Sequence, residues 1–399
     1  MYKTFCRTYQ HTLKLASKWM NYRLPKVVEG KNSVLKLPEL VRKQGIHHVL
    51  IVTDQGITAL GLMQPLLEGL HAQQIRYAIY DQTVPNPTIT NIEEAYELYK
   101  QSHCEGIIAF GGGSPMDCAK GVAARVARPN LTIPQMKGLL KIRKEMPPFF
   151  AIPTTAGTGS EATVAAVVSN SETHEKYALM DPVLIPHVAV LDPLLTVKLP
   201  PFITATTGMD ALTHAVEAYI GLSNTEETRR YSREAVTLIF DNLYTAYSDG
   251  ENMEARKNMQ KASYLAGVAF TRAYVGNVHA IAHTLGGFYG VPHGLANAVL
   301  LPYLLEFYGE TVHKPLAELA DVIGIGASYQ SVAQKSTAFI EAIKQLNRDM
   351  HIPDKIEGIV NRDIPLMVER ALKEANPLYP VPKIMNKDEM FYIYQIIQP

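Results

Sequence analysis

Short apolar runs alternate with longer segments of helical periodicity through the first half of the chain. The runs lie at residues 48–53, 76–80, 106–110, 149–152 and 188–191. Their length and composition predict buried β-strands. Helical periodicity separates several of them, for example over residues 91–102 and 117–127. Strands alternating with helices of this length predict a parallel sheet with crossover helices.

The pattern changes after Pro200 and Pro201, and from residue 207 onward it is helical. The helical segments include residues 211–220, 229–247, 254–273 and 280–285. A domain boundary is therefore expected near residues 195–205. The predicted division is an N-terminal extension or surface helix (1–22), a dinucleotide-binding α/β domain (23–200) and a helical metal-binding domain (201–399).

Composition narrows the classes of function. The 399 residues carry 38 Lys and Arg against 38 Asp and Glu, with 19% charged and 47% hydrophobic residues. A balanced charge lacks the cationic excess that nucleic-acid binding needs, and the apolar content is too high for a disordered chain. A small-molecule enzyme of about two domains is the first expectation.

Cysteine usage and the apolar segments bear on location. The three cysteines, Cys6, Cys104 and Cys118, are too few and too scattered for a disulfide framework or a cysteine-type zinc site. They favour a reducing cytoplasm. We see no secretory signal, and the longest apolar stretch, 298–305, is far too short to cross a bilayer. We expect no membrane partner.

A glycine loop, residues 110–117 (FGGGSPMD), stands between a predicted strand and a predicted helix. Glycines at such a junction let backbone N–H groups approach a phosphate, which the helix N-terminus also favours. The alternative is a plain turn with Ser114 as N-cap and Pro115 in the first helical position. Three successive glycines exceed what that turn needs, so we favour phosphate binding.

A second loop, residues 153–162 (PTTAGTGSEA), follows another strand and is rich in hydroxyl groups. Thr154, Thr155, Thr158 and Ser160 could bind ribose, phosphate or carboxamide, or they could simply cap a polar loop. Asp54 follows the strand at 48–53. A carboxylate there can accept the ribose hydroxyls of NAD and repel the 2′-phosphate of NADP, or serve only as a helix N-cap.

The helical half contains two pairs of potential metal ligands at i, i+4 spacing. Asp210 and His214 form one pair, His279 and His283 the other, and His293 follows. This spacing places both members of a pair on one helix face. Imidazole and carboxylate ligands suit Fe(II), Zn(II) or Mn(II). A single helical histidine is usually structural, but this combination favours a metal site. A zinc-protease helix is disfavoured, because Ala280 stands where that motif has its glutamate.

Four ordered motifs together resemble the iron-containing (group III) alcohol dehydrogenase family. They are residues 111–117 (GGGSPMD), 153–161 (PTTAGTGSE), 208–214 (GMDALTH), and His279, His283 and His293 with Gly294. The resemblance extends from about residue 26 to the C-terminus. It implies a Rossmann-like α/β domain and an all-α C-terminal domain (the dehydroquinate synthase-like architecture), with NAD(P) between them. By analogy it also implies a homo-oligomer, a dimer or larger.

The resemblance assigns roles to individual positions. The implied metal ligands are Asp210, His214, His279 and His293, and His283 matches the non-ligand histidine near the substrate. The implied cofactor contacts are Asp54, Asn86, Gly112, Gly113, Ser114, Asp117, Thr154, Thr155, Thr163 and Lys176. The early loop around Gly30 and Asn32 lacks a second glycine found in many relatives, and residues 1–22 have no counterpart.

The expected activity is reversible hydride transfer between nicotinamide and a small primary alcohol or diol, with aldehyde reduction as the reverse reaction. NAD is favoured with NADP possible, and Fe(II) with Zn(II) as the alternative. Within the same architecture, a glycerol dehydrogenase or a dehydroquinate-synthase-like lyase is a weaker match. From a different class, a catalytically silent NAD-binding or scaffold protein stays open until bound metal is measured.

Overall fold

The computed structural model describes residues 1–17, 20, 22–171 and 175–399. The chain forms two compact units. One comprises Asn21–Lys198, and the other combines Met1–Met20 with Leu199–Pro399. The first unit is built on a parallel sheet and the second is helical.

The main sheet of the α/β unit consists of parallel strands, namely β1 (Lys26–Glu29), β2 (His48–Val52), β3 (Arg76–Tyr80), β4 (Gly106–Gly111), β6 (Phe149–Pro153) and β9 (Val188–Leu191). Their order in the sheet is β1-β9-β6-β4-β2-β3. All five strands predicted from apolar runs are confirmed. The pattern missed β1, because this short strand at the edge of the sheet is only partly buried and carries charged residues at both ends.

A smaller sheet was also missed. It consists of β5 (Gly138–Leu139), β7 (Ala165–Asn170) and β8 (Glu175–Met180), in the order β5-β8-β7. β7 pairs with β8 in antiparallel fashion, and Tyr177 and Leu179 of β8 are buried in the core. Such short, half-polar strands give a weaker sequence signal than the continuous apolar runs of the main sheet.

Side chains alternate across the main sheet and supply a core on each face. Leu50 of β2 and Ile107 of β4 belong to one cluster of buried residues, and their neighbours Ile51 and Ile108 belong to the other. This period of two is the geometry of a β-strand. The helices of the unit are α2 (Leu37–Lys43), α3 (Gln55–Ala59), α4 (Gln64–Ala72), α5 (Ile89–Gln101) and α6 (Gly113–Ala127).

The helical unit begins with the N-terminal helix and continues after residue 199. Its helices are α1 (Tyr2–Ser17), α7 (Pro201–Ile220), α8 (Glu226–Ser248), α9 (Met253–Ala273), α10 (Asn277–Tyr289), α11 (His293–Tyr308), α12 (Glu310–Val322), α13 (Val332–Asp349), α14 (Ile364–Ala375) and α15 (Lys387–Ile396). Among the described residues, no helix is both long enough and apolar enough to cross a membrane.

The first residues of the chain are anchored to the C-terminal part. The Arg7 guanidinium donates to the carbonyl oxygens of Val381 (2.7 Å) and Pro382 (2.9 Å), and Gln10 donates to that of Tyr379 (2.7 Å). These long-range contacts have no signature in the sequence of α1.

Helix α7 starts ten residues before the predicted 211–220 segment. The sequence pattern did not predict this start because the segment is rich in threonine, and β-branched hydroxyl residues are poor helix formers. In the structure the hydroxyl of Thr206 donates to the carbonyl of Phe202 (2.9 Å), and that of Thr207 donates to the carbonyl of Ile203 (2.7 Å). Bonding to the preceding turn satisfies both hydroxyl groups inside the helix.

Candidate metal centre and cofactor loops

Three of the predicted metal ligands meet in the helical unit. Donor atoms of Asp210 on α7, His279 on α10 and His293 on α11 all lie within 4.8 Å of one another. Asp210 Oδ1 is 3.9 Å from His279 Nε2 and 3.6 Å from His293 Nε2. Ligand atoms arranged tetrahedrally about 2.1 Å from a metal lie roughly 3.4 Å apart. The three residues therefore fit a shared divalent cation, and a carboxylate with two imidazoles suits Fe(II) or Zn(II).

A close approach of two helices brings His293 to Asp210. A Cβ atom on Gly294 would lie only 2.3 Å from the backbone carbonyl oxygen of Thr206. Thr206 precedes Asp210 by one helical turn, and Gly294 follows His293 directly. A glycine at position 294 therefore lets the two helices approach closely enough for His293 Nε2 and Asp210 Oδ1 to lie 3.6 Å apart.

His214 lies beside this group of three. Its ring stacks on that of His279 with centroids 4.5 Å apart, and on that of Phe270 with centroids 4.2 Å apart. The three-residue group does not include it. The role of His214 as a fourth ligand stays a prediction.

Each histidine of α10 is held by a buried or half-buried carboxylate. His279 Nδ1 lies 2.6 Å from Glu217 Oε2, and His283 Nδ1 lies 2.6 Å from Glu374 Oε1. The hydroxyl of Tyr379 also donates to Glu374, at 2.9 Å. A carboxylate accepts, so Nδ1 of each imidazole is the donor in these contacts, and in a neutral ring Nε2 is then the acceptor. The rings of His283 and His293 stack with centroids 5.0 Å apart.

Asn297 completes the surroundings of the three ligands. Its side-chain nitrogen donates to Asp210 Oδ1 at 2.6 Å and lies 3.2 Å from Nε2 of both His279 and His293. The side chain is fully buried. Asn297 follows His293 by four residues on α11, the same spacing as in the two predicted pairs.

The predicted cofactor residues gather at the carboxyl edge of the main sheet. The loops after β4 and β6 pack tightly there, because a Cβ on Gly112 would lie 3.3 Å from Thr155 Cγ2 and one on Gly113 2.8 Å from Thr158 Cγ2. Thr154 also donates its amide to the carbonyl of Gly111 at 3.1 Å. Close packing of the two loops is thus a second physical reason for the glycines.

Helix α6 starts at Gly113, four residues before the predicted 117–127 segment. Its N-cap is Gly112, which has no side chain to bind the first-turn amide groups. The turn with Ser114 as N-cap is not formed. Instead, the Ser114 hydroxyl accepts the amide of Asn86 at 3.2 Å, and Asn86 Oδ1 accepts from Lys176 Nζ at 2.8 Å. These bonds join three predicted cofactor residues from separate parts of the chain, namely Ser114 of α6, Asn86 of the loop before α5 and Lys176 of β8. Unbonded amides at a helix start favour an anion.

Asp117 and Thr163 bind protein groups below these loops. The Asp117 carboxylate accepts from the Ser160 hydroxyl and the Val167 amide, each at 3.1 Å. Burial raises the pKa of Asp117. Thr163 Oγ1 accepts from Lys120 Nζ at 2.8 Å, and burial lowers the pKa of this lysine to about 8. The cofactor contacts implied for Asp117 and Thr163 stay predictions.

Asp54 follows β2 and is the N-cap of α3, where Oδ1 accepts the Ile57 amide at 3.0 Å. The capping alternative is thus present in the structure. It uses one carboxylate oxygen and leaves the ribose contact as a prediction. β2 and β4 are neighbours at the point where the strand order reverses, which is where open α/β sheets bind ligands.

Sequence reasoning missed several residues of both sites. Asn297 had a usable signal in its i, i+4 spacing from His293, and Glu217 lies on α7 seven residues after Asp210. Lys120 is a single lysine among small apolar residues of α6. Glu374 had no local signal, because it lies 91 residues from His283 along the chain.

Comparisons with known proteins match most of the chain, in both of its units. Residues 25–193 match the model of the iron-containing alcohol dehydrogenases, and residues 204–397 that of the Fe-containing alcohol dehydrogenase family, C-terminal. The 1,3-propanediol dehydrogenase of Klebsiella pneumoniae is 37% identical over 386 residues, covering 96% of this chain and 99% of the relative.

Solved structures agree. A crystal structure of 1,3-propanediol oxidoreductase superposes with a TM-score of 0.91 at 36% identity, over 95% of this chain and 99% of that one. A sulfoacetaldehyde reductase from Bifidobacterium kashiwanohense in complex with NAD+ gives a TM-score of 0.83 at 29% identity, over 95% and 98%. Sequence and fold agree over both units of the chain, which belongs to the iron-containing alcohol dehydrogenase family.

Proposed function

We propose that this chain reversibly oxidises a small primary alcohol or diol, with NAD as hydride acceptor and Fe(II) at the group formed by Asp210, His279 and His293. The proposal rests on one observation: each of these three residues offers a ligand atom, and the three atoms lie within 4.8 Å of one another. The propanediol dehydrogenase relative supports the substrate class, and the NAD+ complex of the sulfoacetaldehyde reductase supports the cofactor.

Different residues of the chain would bind the metal and transfer the proton. A divalent cation, when bound, acts as a Lewis acid that stabilises an alkoxide, and NAD accepts the hydride. His214 is proposed as the fourth ligand. His283 is the proposed proton carrier, because Glu374 holds its Nδ1 and leaves Nε2 to exchange a proton.

The cofactor would bind at the carboxyl edge of the sheet. The amide groups at the start of α6, together with Gly112, Gly113 and Ser114, would hold the pyrophosphate. Hydroxyl groups of Thr154, Thr155 and Thr158, with Asn86 and Lys176, would bind the remaining polar groups. Asp117 and Thr163 would contribute through the loop that they support.

Metal analysis of anaerobically purified protein, followed by NADH formation with C2–C6 alcohols and diols, tests the proposal. His279→Ala should lose bound metal and turnover together, since it removes a ligand. Exposed His71 on α4 offers a control, and His71→Ala should keep both. A metal-free variant that is fully active would contradict the proposed chemistry, and a wild-type protein without metal would favour a silent NAD-binding protein.

Asp54→Asn tests the choice of NAD. Asparagine caps a helix as well as aspartate does but carries no charge, so α3 should stay intact. Removing the carboxylate should raise the NADP:NAD ratio of kcat/KM by about fivefold or more, since charge repulsion near a surface is on the order of 1 kcal/mol or greater. Steady-state kinetics with both cofactors measures the ratio. An unchanged ratio would mean that Asp54 acts only as a cap.

A homo-oligomer and a cytoplasmic location complete the proposal. The first rests on analogy with the family. The second rests on cysteine usage, because Cys6, Cys104 and Cys118 are all free and buried. Light scattering coupled to gel filtration and fractionation of the source cells measure the two properties directly. A monomer, or recovery in another compartment, would contradict them.

A further inference from the structure

Glu217 is an almost fully buried carboxylate that touches a metal ligand without belonging to the ligand group. It lies on α7, with 4% of its surface exposed. Oε2 accepts from the Gly276 amide at 2.7 Å and from His279 Nδ1 at 2.6 Å, and Oε1 accepts from the Val278 amide at 2.8 Å. Three donors therefore converge on its two oxygen atoms.

This arrangement requires a group that only accepts. A carboxylate offers two acceptor oxygens, whereas a glutamine amide would turn its NH2 group toward at least one of the donors. With a carboxylate at 217, the proton of His279 must lie on Nδ1. Nε2 then carries the lone pair, and it is Nε2 that lies 3.9 Å from Asp210 Oδ1. The network thus assigns one tautomer and one ring orientation to His279.

The same carboxylate fixes the helix that carries the ligand. Gly276 is the N-cap of α10 and has no side chain, and Val278 is the second residue of the helix. Glu217 accepts from both amides and so caps α10 from α7, where a negative charge also complements the helix dipole. Glu217 lies on the same helix as Asp210. It therefore fixes both the ring of His279 and the start of the helix that carries this residue.

We propose that Glu217 is a positioning residue that fixes the tautomer and orientation of His279 and thereby sets how tightly the site holds its divalent cation. The inference rests on the proposed metal site at Asp210, His279 and His293. Carboxylates that accept from the far nitrogen of a ligand histidine commonly raise metal affinity by 10–100-fold.

Glu374 on α14 provides a matched control, because it contacts a histidine of the same helix α10. It accepts from His283 Nδ1 at the same 2.6 Å, one turn after His279. His283 lies outside the group of three ligands. Each glutamate can be changed to glutamine, with loss of one carboxylate–histidine contact in either case. The proposal predicts that only one of the two changes weakens metal binding.

The experiment measures Fe(II) affinity of wild-type, Glu217→Gln and Glu374→Gln proteins by competition with a chromogenic chelator under anaerobic conditions. Circular dichroism confirms that each variant is folded. Glu217→Gln should bind Fe(II) about 10–100-fold more weakly than wild type, and Glu374→Gln should bind within about threefold of it. Zn²⁺ competition should give the same order.

A second readout does not depend on metal. In metal-free protein with 15N-labelled histidine, the His279 Nδ1–H signal, assigned with His279→Ala, should disappear or move in Glu217→Gln and stay in Glu374→Gln. If Glu217→Gln fails to fold, Glu217→Asp takes its place, because it keeps both carboxylate oxygens on a shorter side chain. Its loss of Fe(II) affinity relative to wild type should be smaller than the 10–100-fold expected for Glu217→Gln.

The outcomes separate the two proposals. Wild-type protein that binds no Fe(II) or Zn²⁺ would overturn the proposed metal site itself. Wild-type binding with equal affinity in Glu217→Gln would overturn the role of Glu217 alone. Equal losses in both variants would also overturn it, because they would reflect removal of a carboxylate rather than the orientation of His279.

Discussion

Glu161 is a carboxylate that folding has removed almost completely from water. Only 2% of its surface is exposed, and the fully buried Lys120 is the charge that opposes the desolvation. Burial raises the pKa of Glu161 from 4.5 to about 7 and lowers that of Lys120 to about 8. Together with Asp117 and Thr163, these residues form a buried polar cluster at the loops that follow β4 and β6. The cost of desolvating them makes stability depend on pH.

The raised pKa of Glu161 determines whether folding stability rises or falls with pH. Between pH 4.5 and 7 the folded chain holds a proton that the unfolded chain has lost, so stability falls as pH rises through this range. Glu161→Gln cannot ionise. It should match wild type near pH 4.5 and exceed it above pH 7, by at most roughly 3 kcal/mol for a shift of this size.

Urea unfolding of both proteins from pH 4.5 to 8 measures the difference. Comparing the two at each pH cancels the contributions of titrating groups that do not interact with Glu161, which leaves those of Glu161 and of its neighbour Lys120. A difference that does not grow with pH would show that Glu161 ionises as easily in the folded chain as in the unfolded one.

At the scale of elements, one close contact between two helices sets the distance between two residues of the candidate metal centre. Helices α7 and α11 approach so closely at Gly294 that even a methyl group would meet the Thr206 carbonyl. Backbone cannot yield as a flexible side chain can. The ligands on the two helices are therefore positioned by a residue that has no side chain of its own.

Gly294→Ala should force α7 and α11 apart, destabilise the helical unit by about 1–3 kcal/mol and weaken metal binding. Gly287→Ala on α10 is the matched control, because a Cβ there meets nothing within 4 Å. In a helix interior this second change should be neutral or stabilising, by up to about 1 kcal/mol. Thermal unfolding and chelator competition measure both effects. Equal behaviour of the two variants would argue against the close contact.

At the scale of the whole molecule, the two units carry different parts of the proposed chemistry. The three converging ligands all belong to the helical unit, and the predicted cofactor residues from Asp54 to Lys176 all belong to the α/β unit. The N-terminal helix belongs to the helical unit through Arg7 and Gln10. Metal and cofactor should therefore stabilise different parts of the chain.

Hydrogen exchange followed by mass spectrometry tests this separation. Removing metal with a chelator should speed exchange in α7, α10 and α11 while leaving β2, β4 and β6 unchanged, because a ligand stabilises the structure to which it binds. Adding NAD should slow exchange around residues 112–116 and 154–160. Slower exchange of the sheet strands on metal addition would contradict the assignment of the metal to the helical unit.

The sequence by itself determined the features that depend on local spacing. Continuous apolar runs identified the main parallel strands, because strands buried on both faces need apolar residues at every position. The i, i+4 spacing identified Asp210, His279 and His283, because a helix repeats every 3.6 residues. The starts of α6 and α7 were predicted too late, because glycines in α6 and threonines in α7 are poor helix formers. In the folded chain, long-range packing outweighs this weak helix propensity.

Only the tertiary structure decided which distant groups meet. His279 pairs with Glu217 across 62 residues and His283 with Glu374 across 91. A carboxylate at such a distance has no fixed relation to the histidine in the sequence, because their proximity depends on the packing of α7, α10 and α14. The sequence could therefore name the candidate metal-binding histidines, whereas their hydrogen-bond partners and orientation are set by helices that meet only in the folded chain.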